Sequence, residues 1–504
     1  MKKSRCCNAG TTTRLINSTK CYVCLRCGKD YHFVNIKKAK YEKTKTTFFG
    51  TILIMMLPLA VVRDILSTYY KKYKNAYILV VIAVLVQAVA YSMTVLWGRG
   101  GFMWLSDSVS YLEMGKNLML YKDLIVNIDW GVSAWRTPLY PLFVGIFYKI
   151  IPSVWFIILA QNVVGVINIL LTYKIGKLVF NSKVGFLGAL LLIFESSRLI
   201  LTNQVMSETL FVLLVLLMVY YFAKGIKEGK TSYIVISAVF CGLGALTRIV
   251  IQFFPIGVLL FFIIYGITTK KKWLLSAILF VSVFAVTISP WLIRNYIHFK
   301  RVELSSASGY VLYSMYGGKV LDYKLGLSDK GLDAKTILDE RFLKHFNLKR
   351  PTDQRISILG DNWYEPQYQD WFREEGVKIF KDDPLFYIGI QMRKMATFFI
   401  ESSASRSYGD ALLVGLNLPA KIFYPYMYYG GRMLWILYGL LIVSSLIFFP
   451  LKKNLWIKIF LICTILYFAM FSGGWAGIGR ARQPVNPLIF LFLASAILNY
   501  RCKL

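Results

Sequence analysis

The amino-acid sequence predicts an all-α polytopic membrane protein with about ten transmembrane helices. Three observations carry this expectation. Of 504 residues, 57% are apolar and only 17% are charged, with a mean hydropathy of +0.54; soluble domains carry about 25% charged residues. Apolar runs of about 20 residues, enough to cross a bilayer, recur along the chain. The net charge of +33 is also unevenly placed. The segments 1–76, 174–183, 224–231, 268–272, 450–458 and 501–504 hold 30 Lys and Arg against 4 acids, whereas the rest holds 29 against 22. Basic residues in short loops stay cytoplasmic, so both termini are expected inside. The charge then reads as topology and contact with anionic membrane lipid, with no nucleic-acid role.

In chain order, spans are expected at about 77–97, 154–173, 184–202, 209–223, 232–247, 250–267, 273–293, 431–449, 459–471 and 484–500. Phe48 to Val62 is only 15 residues long and ends at Arg63-Asp64, so it reads as an interfacial helix. Pro138 to Ile151 carries Pro138 and Pro141 and is also short, which suggests a juxtamembrane or re-entrant helix. No cleavable signal peptide is expected, because the first 35 residues are polar and rich in Cys. The large segment 294–430, with 19 basic and 16 acidic residues, mixes charge with Trp363, Tyr364, Trp371 and Phe372. It is expected to fold as a small outer domain, helped by the amphipathic stretch Pro384 to Ile400. The resulting division is 1–45, a Cys-rich ribbon; 46–75, an interfacial helix and basic linker; 76–300, a transmembrane catalytic module; 301–425, an extracytoplasmic loop domain; and 426–504, C-terminal transmembrane helices.

Five of the eight Cys fall in the first 27 residues, and none falls in the expected outer loops. Cys24-Leu25-Arg26-Cys27-Gly28 has the two-residue spacing and following Gly that let two thiolates reach one ion while backbone N–H groups support the sulfurs. With Cys6 and Cys7, or with Cys21 in place of one of them, this set predicts a structural zinc ribbon. Such a site needs a reducing compartment, in agreement with a cytoplasmic N-terminus.

Only three His are present and scattered, which disfavours a His-ligated catalytic metal; no phosphate-binding loop of the GxxxxGK[ST] type appears. What remains is a set of carboxylates and arginines at the outer ends of the spans: Asp107, Glu208, Arg248, Arg294, Arg480 and Arg482. A carboxylate there can deprotonate a hydroxyl or hold a divalent ion. Arginine at the headgroup level suits phosphate through paired N–H donors. The plainer reading, that charges at span ends only anchor the helices, stands beside it.

From about residue 77 to 500 these pieces, in order, resemble the GT-C glycosyltransferases, specifically glycosyltransferase family 39 with its lipid A aminoarabinose transferase and protein mannosyltransferase relatives. Asp107-Ser-Val-Ser-Tyr111 with Gly115 resembles the family's acidic first outer loop. Arg136-Thr-Pro138-Leu-Tyr140-Pro141-Leu-Phe143 resembles its R-x-P-x-Y-P-L segment, Ser207-Glu208-Thr-Leu-Phe211 its second acidic site, and Gly244-Ala-Leu-Thr-Arg248 its Leu-Thr-Arg turn. Pro290-Trp-Leu-Ile-Arg294-Asn295-Tyr296 precedes the large outer loop, and Arg480-Ala-Arg482-Gln-Pro484 resembles the Arg-Tyr-Arg-x-Pro segment. Ser108 stands where many relatives carry a second acid, Glu208 where several have Asp, and Ala481 replaces the Tyr. The Cys-rich ribbon lies outside the family pattern.

The resemblance implies a membrane enzyme of cell envelope glycosylation, with an extracytoplasmic active site in the cell membrane. It would move a sugar from a polyprenyl-phosphate donor to a hydroxyl of a lipid, glycan or protein acceptor, with inversion. Asp107 would be the general base, and Glu208 would orient the acceptor or complete a divalent-metal site. Arg248, Arg480 and Arg482 would neutralise the donor phosphate, assisted by Arg136 and Arg294. A transporter or lipid flippase would instead place ionisable residues mid-span, where only Gln161, Asn162 and Asn168 are noted, and a non-catalytic scaffold would use the ribbon to recruit a partner.

Overall fold

The computed structural model describes residues 11–16, 19–24, 30–34, 74–96, 106–125, 132–270, 273–327, 334–348, 366–400, 454–471 and 478–500. The chain divides into two units, Met1–Lys74 and Asn75–Leu504. In the first, β1 (Thr11–Ile16), β2 (Thr19–Cys24) and β3 (Asp30–Val34) form an antiparallel sheet in the order β1-β2-β3. Thr11 lies opposite Cys24, Arg14 opposite Cys21, and the β2–β3 register shifts at Tyr22/Val23. The all-α expectation is thus corrected for this unit, whose Thr- and β-branched-rich segments suit strands. Of the expected zinc ligands, Cys21 and Cys24 lie on β2, and Cys6, Cys7 and Cys27 lie outside the described residues.

The second unit is helical. It begins with α1 (Lys74–Leu96) and α2 (Ser106–Tyr121), followed by α3 (Leu139–Ile150) and α4 (Val154–Val179). Next come α5 (Ser182–Ile193), α6 (Ser196–Thr202), α7 (Glu208–Glu228) and α8 (Thr231–Ala245), then α9 (Phe254–Thr269) and α10 (Leu274–Phe299). Among the described residues five helices are long and apolar enough to cross a membrane: α1, α4, α7, α9 with the turn before it, and α10. The chain is an integral membrane protein. Other expected spans, α8 among them, fall on apolar helices of 10–17 residues, and the one at 431–449 lies outside the described residues.

The expected span 184–202 is broken into α5 and α6. Backbone groups freed inside an apolar bundle need internal partners. Glu195 supplies them on one side, its carboxylate accepting from the N–H groups of Ser197 and Arg198. Arg198 supplies them on the other, its guanidinium donating to the carbonyls of Leu192 and Ile193. Both side chains are buried, so this span is not the nearly uncharged interior that hydropathy suggested.

α7 runs through the core, with Phe211, Val215, Val219 and Phe222 buried and the Phe222 ring stacked on Phe460. It starts with Glu208, a carboxylate well placed at a helix N-terminus, and stops at Gly229, whose φ of +67° is the left-handed cap that glycine adopts without strain. At the far end of α7, Asn75 meets Ser182, Lys227 donates to the Leu178 carbonyl and Asn454 to the Val179 carbonyl. The segments that the charge pattern grouped on one side therefore meet at one end of the bundle.

Beyond α10 the chain forms α11 (Ala307–Tyr310), a π-helical stretch to Gly317, α12 (Gly318–Leu325), α13 (Ala334–His345), α14 (Pro366–Asp382) and α15 (Pro384–Ile400). Trp135, Tyr310, Tyr313, Phe342 and Phe372 build a separate aromatic core here, with Trp371 packed against it. Trp363 and Tyr364 lie outside the described residues. α16 (Leu455–Phe471), α17 (Ile478–Arg482) and α18 (Asn486–Tyr500) return to the main core.

Candidate active site

The end of the bundle opposite Asn75 and Ser182 gathers charge. Asp107 stands in the first turn of α2, and α2 is seated on α3 by two glycines. A Cβ at Gly115 would come within 2.8 Å of Val144 and 2.9 Å of the Pro141 carbonyl, and a Cβ at Gly145 within 2.5 Å of the Gly115 carbonyl. Close approach of this kind is how small residues join helices where water gives no driving force. Pro141, in the first turn of α3, costs that helix no interior hydrogen bond.

Arg136 Nη2 donates to Asp107 Oδ1 at 2.5 Å, and Arg480 Nη2 donates to Asp107 Oδ2 at 2.9 Å. Arg480 also reaches Glu208 Oε1 through its Nε, so one guanidinium bridges the two carboxylates. Arg248 Nη1 donates to the same Glu208 oxygen at 2.7 Å and to Ser207 Oγ at 3.0 Å. Glu208 is 2% exposed, and its Oε2 has no hydrogen-bond partner among the described residues. Burial alone would raise the Asp107 carboxyl, but Arg136 and Arg480 override it and hold it well below the usual carboxylate range.

Neutral residues fix these charges. The Arg136 guanidinium lies 4.9 Å over the Tyr111 ring, and Tyr111 OH donates to Ser207 Oγ. Tyr140, fully buried, donates to Gln161 Oε1 at 2.5 Å, and Gln161 Nε2 donates to the carbonyls of Thr202 and Gln204. Leu139 N–H bonds the Leu246 carbonyl, tying α3 to the turn that carries Arg248. Sequence reasoning quoted Tyr111, Tyr140 and Ser207 within motifs but assigned them no part. It missed the capping pair Glu195 and Arg198, for which a charge inside an apolar span was the available signal.

Two expected members lie elsewhere. Arg482 is fully buried, donating from Nε to Asn486 Oδ1 and from Nη1 to the Phe398 carbonyl at 2.5 Å, so it ties α17 to α18 and α15. Arg294 pairs with Asp123 at 2.5 Å, donates to the Ser133 carbonyl and stacks 4.5 Å from Trp291. Asp123 also faces His298 at 3.4 Å. As for a divalent metal at the active site, Arg480 occupies the place between Asp107 and Glu208. Among the described residues no third acid, His or Cys joins them, so this donor set does not fit such an ion.

Residues 135–293 match the family described as dolichyl-phosphate-mannose-protein mannosyltransferase. The matched segment contains Arg136, Glu208 and Arg248; Asp107 and Arg480 come from outside it. No curated protein matches the chain. Among solved structures, it is similar to the archaeal oligosaccharyltransferase AglB from Archaeoglobus fulgidus in complex with an inhibitory peptide and a dolichol-phosphate, at 14% identity and a TM-score of 0.48. That alignment covers 86% of this chain and 52% of the oligosaccharyltransferase, so the chain spans about half its length. It is also similar to ArnT from Cupriavidus metallidurans bound to undecaprenyl phosphate, at 11% identity and a TM-score of 0.38, covering 84% of this chain and 78% of that one.

Proposed function

We propose that this protein is a glycosyltransferase that moves a sugar from a polyprenyl-phosphate carrier to an acceptor hydroxyl at the extracytoplasmic face. The observation that carries the reading is the Arg480 bridge: two carboxylates from distant segments share one guanidinium, with Arg136 and Arg248 as outer partners. Five charged groups drawn to one end of an apolar bundle are costly unless a charged substrate uses them. The family matched by residues 135–293 is described by a lipid-phosphate sugar donor, which supplies the anion.

In this mechanism the donor phosphate takes guanidinium donors from the carboxylates, because arginine pairs phosphate in the same two-pronged geometry. Losing those partners raises the proton affinity of Asp107 when the acceptor hydroxyl arrives. The acceptor oxygen bonds to the anomeric carbon from the face opposite the phosphate, and the C–O bond to phosphate breaks. Its electron pair leaves on the phosphate, the hydroxyl proton passes to Asp107, and the configuration inverts. The arginines stabilise the charge as it develops, and Glu208 Oε2 accepts from the acceptor to orient it. No step is routed through a metal. Cys24 and Cys27 are proposed, with the other N-terminal Cys, to hold a structural zinc on the cytoplasmic side; metal analysis of the full chain should show zinc that falls in Cys24→Ser, and an unchanged content would remove the ribbon.

The test is sugar transfer from a polyprenyl-phosphate donor by purified, monodisperse protein. A general base contributes about 10²–10⁴-fold, so Asp107→Asn should lose turnover in that range while still binding polyprenyl phosphate. Near-normal turnover in Asp107→Asn would remove it as the base and leave Glu208 as the alternative.

A further inference from the structure

A cavity of about 620 Å³ lies where the end of α10 and the segment after it meet α14 and the turn before α9. That volume falls in the range of roughly 300–1,000 Å³ that small-molecule sites occupy. Its polar lining is arranged in pairs. Arg301 grips Asp370 with two donors, at 2.8 and 2.5 Å, and Arg373 donates to Glu303 Oε2 at 2.7 Å. Glu303 Oε1 is buried and has no hydrogen-bond partner among the described residues. Two rings, Phe253 and Phe299, line the same space.

Carboxylates locked by arginine, one with an acceptor left open, beside aromatic rings, form the chemistry that receives a sugar. Vicinal hydroxyls donate to the carboxylates and accept from the guanidiniums, and the C–H face of a pyranose packs on a ring. A free anion is served less well, because two carboxylates balance the two arginines and the open group, Glu303 Oε1, is itself an acceptor. Two lining residues also connect to the segments that carry the charged cluster. Ile249 lines it and follows Arg248, and Ser305 lines it while donating to the carbonyl of Trp135, which precedes Arg136.

We infer that this cavity is a binding site for a sugar residue of the acceptor, held by Glu303, Asp370, Arg301 and Arg373. The inference rests on the glycosyl-transfer reading and deepens it: the acceptor is then a glycan or glycolipid rather than a bare peptide.

The experiment uses the full-length protein in detergent with methyl pyranosides of glucose, mannose and galactose as probes, read by saturation-transfer NMR. At least one glycoside should bind, equally well with or without polyprenyl phosphate. Glu303→Gln should weaken it about tenfold or more, the worth of a hydrogen bond to a charged group. Asp370→Asn, at a more exposed position, gives the same readout should Glu303→Gln fail to fold. Absence of binding by every glycoside, or binding that neither variant alters, would overturn the inference. Displacement by inorganic sulfate would show an anion site and overturn it too. Competition by a polyprenyl-phosphate-linked sugar, but not by polyprenyl phosphate alone, would assign the cavity to the donor and overturn the acceptor assignment. Loss of polyprenyl-phosphate binding or donor turnover with glycoside binding intact would strike the transfer reading and leave this cavity standing.

Discussion

Arg480 and Arg482 stand two positions apart, and the structure gives them opposite work. Arg480→Ala removes the bridge, leaving Asp107 and Glu208 close together with one partner fewer each. Turnover should fall by about 10²-fold or more, as when a donor aimed at developing charge is lost, measured on the fraction of the variant that purifies monodisperse. Arg482→Ala strips Asn486 and the Phe398 carbonyl of a buried donor, at about 1–3 kcal/mol for each group left unsatisfied. It should lower the melting temperature and the yield first, and a stable Arg482→Ala protein with weakened donor use would reverse this assignment. Asp107 adds a pH signature. Its carboxyl is held below the unfolded value of about 3.9, so its ion pairs contribute full stability above that pH and lose it as pH falls toward the folded value. The stability gap between wild type and Asp107→Asn should stay constant from about pH 5 upward and shrink on acidification below about pH 4; a gap that grows on acidification would show that the pairs are not formed.

At the level of elements, the contact of α2 with α3 decides where Asp107 stands. Gly115→Val places branched methyls where even a Cβ comes within 2.8–2.9 Å of Val144 and two backbone atoms, so α2 must shift. We expect expression near normal and sugar transfer reduced about 10-fold or more, since displacement of a catalytic group by about 1 Å can cost 10²-fold. Wild-type transfer by Gly115→Val would mean that this seat does not position the site. Most helices were legible from hydropathy: Lys74–Leu96 and Val154–Val179 sit on expected spans, as does Glu208–Glu228. The break at Phe194–Glu195 was not, because a hydropathy window averages two charges into the surrounding Leu and Ile. Nor was the N-terminal sheet, whose strands are too short and polar to stand out beside spans.

For the whole molecule, loop charge sets the expected orientation. On the charge pattern we propose that the end bearing Asn75, Ser182 and Lys227 faces inside and the Asp107 cluster outside. Tyr323→Cys, at an exposed position in α12, should therefore react with a membrane-impermeant thiol reagent on intact cells, while Lys230→Cys, exposed near Lys227, reacts only after permeabilisation. The opposite pattern would invert the topology and, with it, the need for a lipid-borne donor, because nucleotide sugars are available on the inner side.

Hydropathy and charge are sums over neighbouring residues, so the chain by itself determined the membrane class, most span positions and the grouping of loops by side. The ends of apolar runs likewise exposed Asp107, Glu208, Arg248 and Arg480 as candidates, and the family resemblance added Arg136. Which of them meet was decided only by tertiary structure. Asp107 and Arg480 are 373 positions apart, and no local pattern couples them. Arg482 shared the motif of Arg480, yet residues two apart on a helix point about 200° from each other. One guanidinium reaches the charged cluster and the other is turned into the core.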